Sequence, residues 1–258
     1  WIYFAYNHSD HKVTILSVAL VRIESPSELS PNCTHPGTDI IVAYVYSEEN
    51  SLNVTITVYN ATDTIGIITV TDLENGTDIA RDDTVTLESW VAEGRYDVKI
   101  VMYNTLGGLS GLCIEANAVV VDVTPPVIGD VSQNPLPNNV FPEDVVRVSV
   151  KVSDMLSGVK QVILSYSVNE SAWVNVTMAE VWEDIYTATI PEFSSYANVT
   201  YVVIAEDRAS NSVTTEEVGR EYYYRVLSEF PFMFVLSLFM MATLVVAAIY
   251  SGKKRFWA

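Results

Sequence analysis

The side chains with most capacity for chemistry in this chain are carboxylates and amides. Asp72, Glu74, Asn75 and Asp78, followed by Asp82 and Asp83, gather hard oxygen donors on an apparent loop, with the next strand expected near Thr84 to Trp90, and calcium takes donors of that type. No EF-hand spacing orders them. The first four residues are therefore an expected calcium site without a motif, and no other cofactor is expected. Asp154, Glu206, Asp207 and Asn211 form a second acidic group only if their turns share one end of a fold. Asp and Asn cap turns in any loop-rich chain, which is the competing reading of both groups.

The residues needed for catalysis are sparse. The three histidines, His8, His11 and His35, all lie near the N-terminus. Gly108-Leu109-Ser110-Gly111 lacks the full G-x-S-x-G spacing of a nucleophile elbow. His8 and His11, three apart in a polar stretch, read as solvated surface rather than metal ligands. No phosphate loop, dinucleotide fingerprint or cysteine-rich zinc spacing is present. The expectation is a protein that is not an enzyme.

Amides offer modification instead. Asn-x-Ser/Thr sequons occur at Asn7, Asn32, Asn53, Asn60, Asn75, Asn169, Asn175 and Asn198, eight of the fifteen asparagines. That excess over chance predicts N-glycosylation in an exported chain. In an oxidising exterior Cys33 and Cys113 are expected to pair. Closing that loop would stabilise the fold by about 4.5 kcal/mol in the chain-entropy model. The alternative is two buried thiols.

A net charge of −18 excludes nucleic acid as a partner, because its phosphates would be repelled. The one cationic cluster is C-terminal. Phe230 to Tyr250 carries no charged side chain and Lys253, Lys254 and Arg255 follow it. A helix of that length spans a bilayer core of about 30 Å, with basic residues on the cytoplasmic side. Residues 230–250 are thus expected as a single transmembrane helix, 251–258 as a basic cytoplasmic tail, and 222–229 as a juxtamembrane linker with Tyr222, Tyr223, Tyr224 and Arg225 as interfacial anchors. All sequons precede this segment, as an external N-terminus requires. The chain opens at Trp1 without a recognisable export signal, so a signal has been removed or the sequence is a fragment of something longer.

The elements that position these groups read as strands. In Val146 to Ser153, VRVSVKVS, valine occupies every second position, the mark of a half-buried strand. Asn53 to Tyr59 and Arg95 to Tyr103 repeat the pattern, with Val54, Ile56 and Val58, then Tyr96, Val98, Ile100 and Met102, facing a core and Asn53 facing water. Such runs at roughly ten-residue spacing, broken by Gly, Asn, Asp and Pro, predict a β-sandwich or barrel. Pro125 and Pro126 remove two backbone donors and mark a linker. Two domains are expected, 1–123 and 124–221.

The second domain resembles the immunoglobulin-like or fibronectin type III-like modules of archaeal and bacterial cell-surface proteins. The resemblance lies in Asp122, Thr124, Pro125 and Pro126, in the turn Asp154 to Val159, in the strand Val162 to Tyr166, in Trp173, in Tyr186 to Pro191, and in Tyr201 to Asn211. Ser210 departs from it, standing where such modules commonly have glycine. In the first domain Gly94 to Val98 resembles the tyrosine corner of these sandwiches, while Cys33, Trp90 and Cys113 do not have the spacing of an antibody-type core. The resemblance implies an all-β chain of two tandem immunoglobulin-like, fibronectin type III-like sandwiches followed by one transmembrane α-helix. It implies no catalytic residue. The expected function is a non-enzymatic, membrane-anchored surface glycoprotein, structural or adhesive. Its partners are the membrane through Phe230 to Tyr250, and neighbouring surface proteins or glycans. The alternative is the membrane-proximal stalk of a larger surface enzyme, receptor or transporter component.

Overall fold

The computed structural model describes residues 4–7, 12–15, 20–23, 29–30, 33–48, 50–193, 196–227 and 236–246. Among these residues the fold is all-β apart from one helix, and the chain divides into two compact units. The first comprises 1–127, 152–161 and 205–213, and the second 128–151, 162–204 and 214–258.

The strands of the first unit are β1 (Phe4–Asn7), β2 (Lys12–Ile15), β3 (Leu20–Ile23), β4 (Leu29–Ser30), β5 (Cys33–Thr34), β6 (Asp39–Glu48), β7 (Ser51–Tyr59), β8 (Thr64–Val70), β9 (Gly76–Thr86), β10 (Gly94–Asn104) and β11 (Leu109–Val121). β1 and β2 pair as a hairpin. One sheet runs β5-β11-β10-β7-β8, and the other is built on β6, which pairs with β3, β4 and β9. Both sheets send alternate residues into one core. Ile40, Val42, Tyr44 and Tyr46 from β6 meet Val54, Ile56 and Val58 from β7 and Tyr96, Val98, Ile100 and Met102 from β10, all at most 2% exposed. The period-two pattern of β7 and β10 produces the faces expected of it. Asn53 is the exception, because its Oδ1 is shut off from solvent. The Tyr96 hydroxyl donates to the Ala92 carbonyl at 2.8 Å, the backward bond of a tyrosine corner. Gly66 on β8 lets the sheets close, since a Cβ there would lie 2.9 Å from Val85 Cγ1.

The second unit holds β12 (Val127–Asn134), β13 (Val146–Ser153), β14 (Val159–Val168), β15 (Val174–Thr177), β16 (Ala179–Trp182), β17 (Ile185–Ile190), β18 (Asn198–Asp207), β19 (Ser212–Thr214) and β20 (Tyr222–Arg225), some of whose ends group with the first unit. The sheets are β12-β13-β17-β16 and β15-β14-β18-β19, with β20 also on β18. These orders match the two-sheet pattern of immunoglobulin-class sandwiches. Val146, Val148 and Val150 are buried from the first sheet, and Leu164, Val199, Tyr201 and Val203 from the second. The Tyr201 hydroxyl bridges the sheets by donating to Gln133 Oε1 at 2.9 Å.

Three expectations are corrected. Residues 222–229 do not begin as a linker. Tyr222–Arg225 is strand β20, Tyr224 is buried, and Tyr222 stacks on Tyr201 with ring centroids 5.4 Å apart. Only Tyr223 among these tyrosines keeps its ring in solvent, at 70% exposure. Second, Cys33 and Cys113 are not joined to each other. Cys33 on β5 lies opposite Val120 of β11, whereas Cys113 lies seven positions back along that strand. That is about 23 Å at strand rise, far beyond the reach of a disulfide. Third, β9 begins at Gly76 rather than near Thr84. Its polar run GTDIARDD pairs along β6 from Glu48 to Val42, so an acidic stretch that reads as a loop is an edge strand. The helix α1 spans 236–246, about 16 Å at helical rise. Among the described residues no helix is long and apolar enough to cross a membrane, and the rest of the expected span, 230–235 and 247–250, lies outside them.

Burial pushes the phenols of Tyr44, Tyr201 and Tyr224 far above the ordinary tyrosine value of about 10, helped by Asp83 for Tyr44 and by neighbouring tyrosines for the other two. The fold retains protons that the unfolded chain releases. Stability is therefore intact below about pH 10 and falls as pH rises beyond it. Urea midpoints at about pH 8 and about pH 11 are expected to show the drop, while replacing Tyr224 with Phe should blunt it.

Candidate functional site

Three aspartates converge at one end of the strands grouped in the first unit. Asp122 follows β11, Asp154 follows β13 and Asp207 closes β18. Each offers a carboxylate oxygen within 4.8 Å of the others, the one such group of three His, Cys, Asp or Glu ligands among the described residues. Asp122 and Asp207 are fully buried.

Local backbone geometry puts them there, each starting a tight turn. Asp122 Oδ1 accepts from the Thr124 amide at 3.0 Å, and its Oδ2 from the Ser157 amide at 3.0 Å. Asp154 Oδ1 accepts from the Leu156 and Gly158 amides at 3.2 and 2.6 Å. Gly158 has φ +81°, in the left-handed region open to glycine. Asp207 Oδ1 accepts from the Asn211 amide at 2.8 Å, and its Oδ2 from Asn211 Nδ2 at 2.7 Å. Asn211 Nδ2 also donates to the Asp122 carbonyl. The Asn211 amide nitrogen is thus committed as donor, so Oδ1 accepts and His35 Nε2 is the donor in their 2.8 Å contact. Nearby Cys33 is held as a neutral thiol, its pKa raised chiefly by burial, against the opposing pull of Arg208 and Arg95.

The acidic stretch of β9 and the turn before it is arranged differently. Asp72, Glu74 and Asp78 do not converge as a ligand set, and all three are exposed. A cation is already present: Arg81 donates from Nη2 to Asp72 and from Nε to Asp83, each at 2.9 Å. The Asp83 hydrogen bond holds that guanidinium firmly protonated. Asn75 Oδ1 is engaged by the Ser51 amide. In the other expected group, Asp154, Asp207 and Asn211 come together as the turns suggested, but Glu206 does not join them. One residue from Asp207 on a strand, it faces the other way and binds Lys160 at 2.6 Å, which lowers its pKa. Asp122 takes its place. The signal for it was present in D-x-T-P-P, where an aspartate two residues before Thr124 starts a turn in the same way as Asp154. His8 and His11 lie outside the described residues.

Chemically the trio can cap three turns, and it can present hard oxygens to a divalent cation of the calcium class. No protein-family model and no curated protein matches the chain. Among solved structures, the FN1–FN3 domains of chicken CNTN1 are similar at 16% identity, with 83% of this chain and 70% of that one covered and a TM-score of 0.49. The native E. coli alpha-2-macroglobulin is similar at 13% identity over 81% of this chain and 14% of its own, with a TM-score of 0.32. Red sea bream transglutaminase is similar at 10% identity over 83% and 32%, with a TM-score of 0.28. At such identities and scores no activity or partner is carried across. The strand order described above carries the fold.

Two variants probe the site. Asp154→Asn keeps the Oδ1 acceptor and removes one of three like charges, and with it a repulsion of about 1 to 3 kcal/mol with each of the other two between water-like and surface dielectrics. In EDTA this variant is expected to melt above the wild type. Added calcium should then lift the wild type alone if the trio takes a cation, and a wild type indifferent to calcium assigns the trio to turn capping. Ser210 sits at φ +74°, where a side chain costs about 1–2 kcal/mol. Ser210→Gly should raise the urea midpoint, by about 1 kcal/mol in stability at constant slope.

Proposed function

We propose that the chain is a non-enzymatic, membrane-anchored cell-surface glycoprotein whose β-sandwich units act as a spacer or adhesive element outside the cell. The observation that carries this reading is α1. All eleven of its residues are exposed and none is charged, and Leu238, Phe239, Met241 and Leu244 are each about two-thirds exposed. A helix apolar on every side belongs in a core or in lipid. Its one threonine supports lipid, since the Thr243 hydroxyl is turned back onto the Phe239 and Met240 carbonyls at 3.0 and 2.8 Å, satisfying itself within the helix. In sequence the uncharged stretch 230–250 that contains α1 is as long as a bilayer-spanning helix requires, and Lys253, Lys254 and Arg255 follow it as a cytoplasmic flank would.

Exposed sequons support the external placement of the rest. Asn75, Asn169, Asn175 and Asn198 are exposed and Asn53 and Asn60 are half-buried; Asn7 and Asn32 lie among residues whose side chains are not described. With a net charge of −18, the partners that fit are the bilayer, neighbouring surface proteins and glycans.

Protease shaving of intact cells, with mass analysis of both fractions, tests the topology. A released glycan-bearing β fragment and a membrane-retained C-terminal peptide are expected. Full recovery of the chain in a carbonate wash overturns the anchor. A released fragment much larger than this chain makes these units the stalk of a bigger surface protein.

A further inference from the structure

Asn198 opens β18. In its antiparallel ladder with β20, Asn198 lies opposite Arg225 and Thr200 lies opposite Tyr223. Alternation sends these four side chains to solvent while Val199, Tyr201 and Tyr224 point inward. The acceptor asparagine, the hydroxyl residue of its sequon and an exposed aromatic ring therefore share one surface. Opposite residues on such a face have Cβ atoms about 4.5–5.5 Å apart and diagonal ones about 7–8 Å, within the span of one N-linked sugar.

Two further features build a seat for that sugar. Tyr196, two positions before Asn198 and 51% exposed, donates its hydroxyl to Asn198 Oδ1 at 3.2 Å. The carboxamide is thereby fixed through its oxygen. Its Nδ2, the atom an N-glycan substitutes, makes no hydrogen bond among the described residues. Alongside lies a groove of about 360 Å³ lined by Asn198, Thr200, Tyr223 and Arg225, with Asn169 and Glu170 across it. It offers an aromatic face beside a cation and a carboxylate, the combination that suits the apolar face and the hydroxyls of a pyranose. Asn53 is the contrasting case, its Oδ1 closed to solvent.

We infer that Asn198 is an occupied glycan acceptor whose first sugar lies in this groove against the Tyr223 ring and stabilises the second unit, an inference that rests on the glycoprotein reading above. The modification joins Asn198 Nδ2 to the anomeric carbon of a lipid-linked sugar phosphate or diphosphate donor. The donor's C1–O bond breaks, the lipid phosphate leaves and the amide loses one proton.

The test uses the full chain in detergent, made in a glycosylating and a non-glycosylating host, with Thr200→Val, Tyr223→Ala and the double variant. Thr200→Val removes the sequon while keeping Asn198, its bond to Tyr196 and a strand-forming residue. Glycopeptide mapping is expected to find sugar on Asn198. Thr200→Val should lower the melting temperature by about 4 °C in glycosylated protein, by nothing in unglycosylated protein, and by nothing further once Tyr223 is alanine. Occupied Asn198 with losses that simply add overturns the stacking. A bare Asn198 beside other occupied sequons overturns this site and leaves the glycoprotein reading standing. Sugar on no sequon overturns both.

Discussion

Burial of one face of each long strand, at two residues per repeat, is the constraint on which the rest of this molecule depends. In β10 it commits Tyr96, Val98, Ile100 and Met102 to the interior, and each polar residue between them must then face outward. In β18 the same rule buries Val199, Tyr201 and Val203 and presents Asn198 and Thr200 to solvent. A shift of one residue in register would exchange these faces. The core and the exposed sequon of β18 are thus set together rather than separately.

Strand ends are where that rule lapses and side-chain hydrogen bonds take over. Asp122, Asp154 and Asp207 each satisfy amides that no ladder reaches, and a buried amide left unpaired costs about 1–3 kcal/mol. Turn capping is therefore sufficient reason for all three to be there. Their convergence adds mutual repulsion, which a bound cation would offset. Asn211 links two of the turns, bonding both Asp207 and the Asp122 carbonyl.

Alternation was legible because it is local. The valines of β13, the apolar face of β7 and the tyrosine at the start of β10 each announce their orientation within a few residues. What the sequence hid was non-local. β9 reads as a loop because an edge strand with both faces partly wet carries no apolar period. β20 reads as a membrane-flanking aromatic cluster because nothing in Tyr222 to Arg225 indicates that β18 has an edge to accept it. Parallel pairing of β5 with β11 separates Cys33 from Cys113, and chain position alone gives no hint of it. In the aspartate trio, Asp154 and Asp207 were legible as turn starters, but the substitution of Asp122 for Glu206 depended on which side of β18 faces the other turns.

The path of the chain as it leaves β20 has a mechanical meaning. The Val226 amide is bonded to the Ala197 carbonyl beside β18, and the Leu227 amide to the Val140 carbonyl in the connection between β12 and β13. Tension applied from the C-terminal side therefore enters the second unit at two places at once, beside β18 and in the β12–β13 connection. A strand tied to one sheet alone would let its edge peel open bond by bond. Here the load is shared at the point of entry between the start of β18 and the β12–β13 connection.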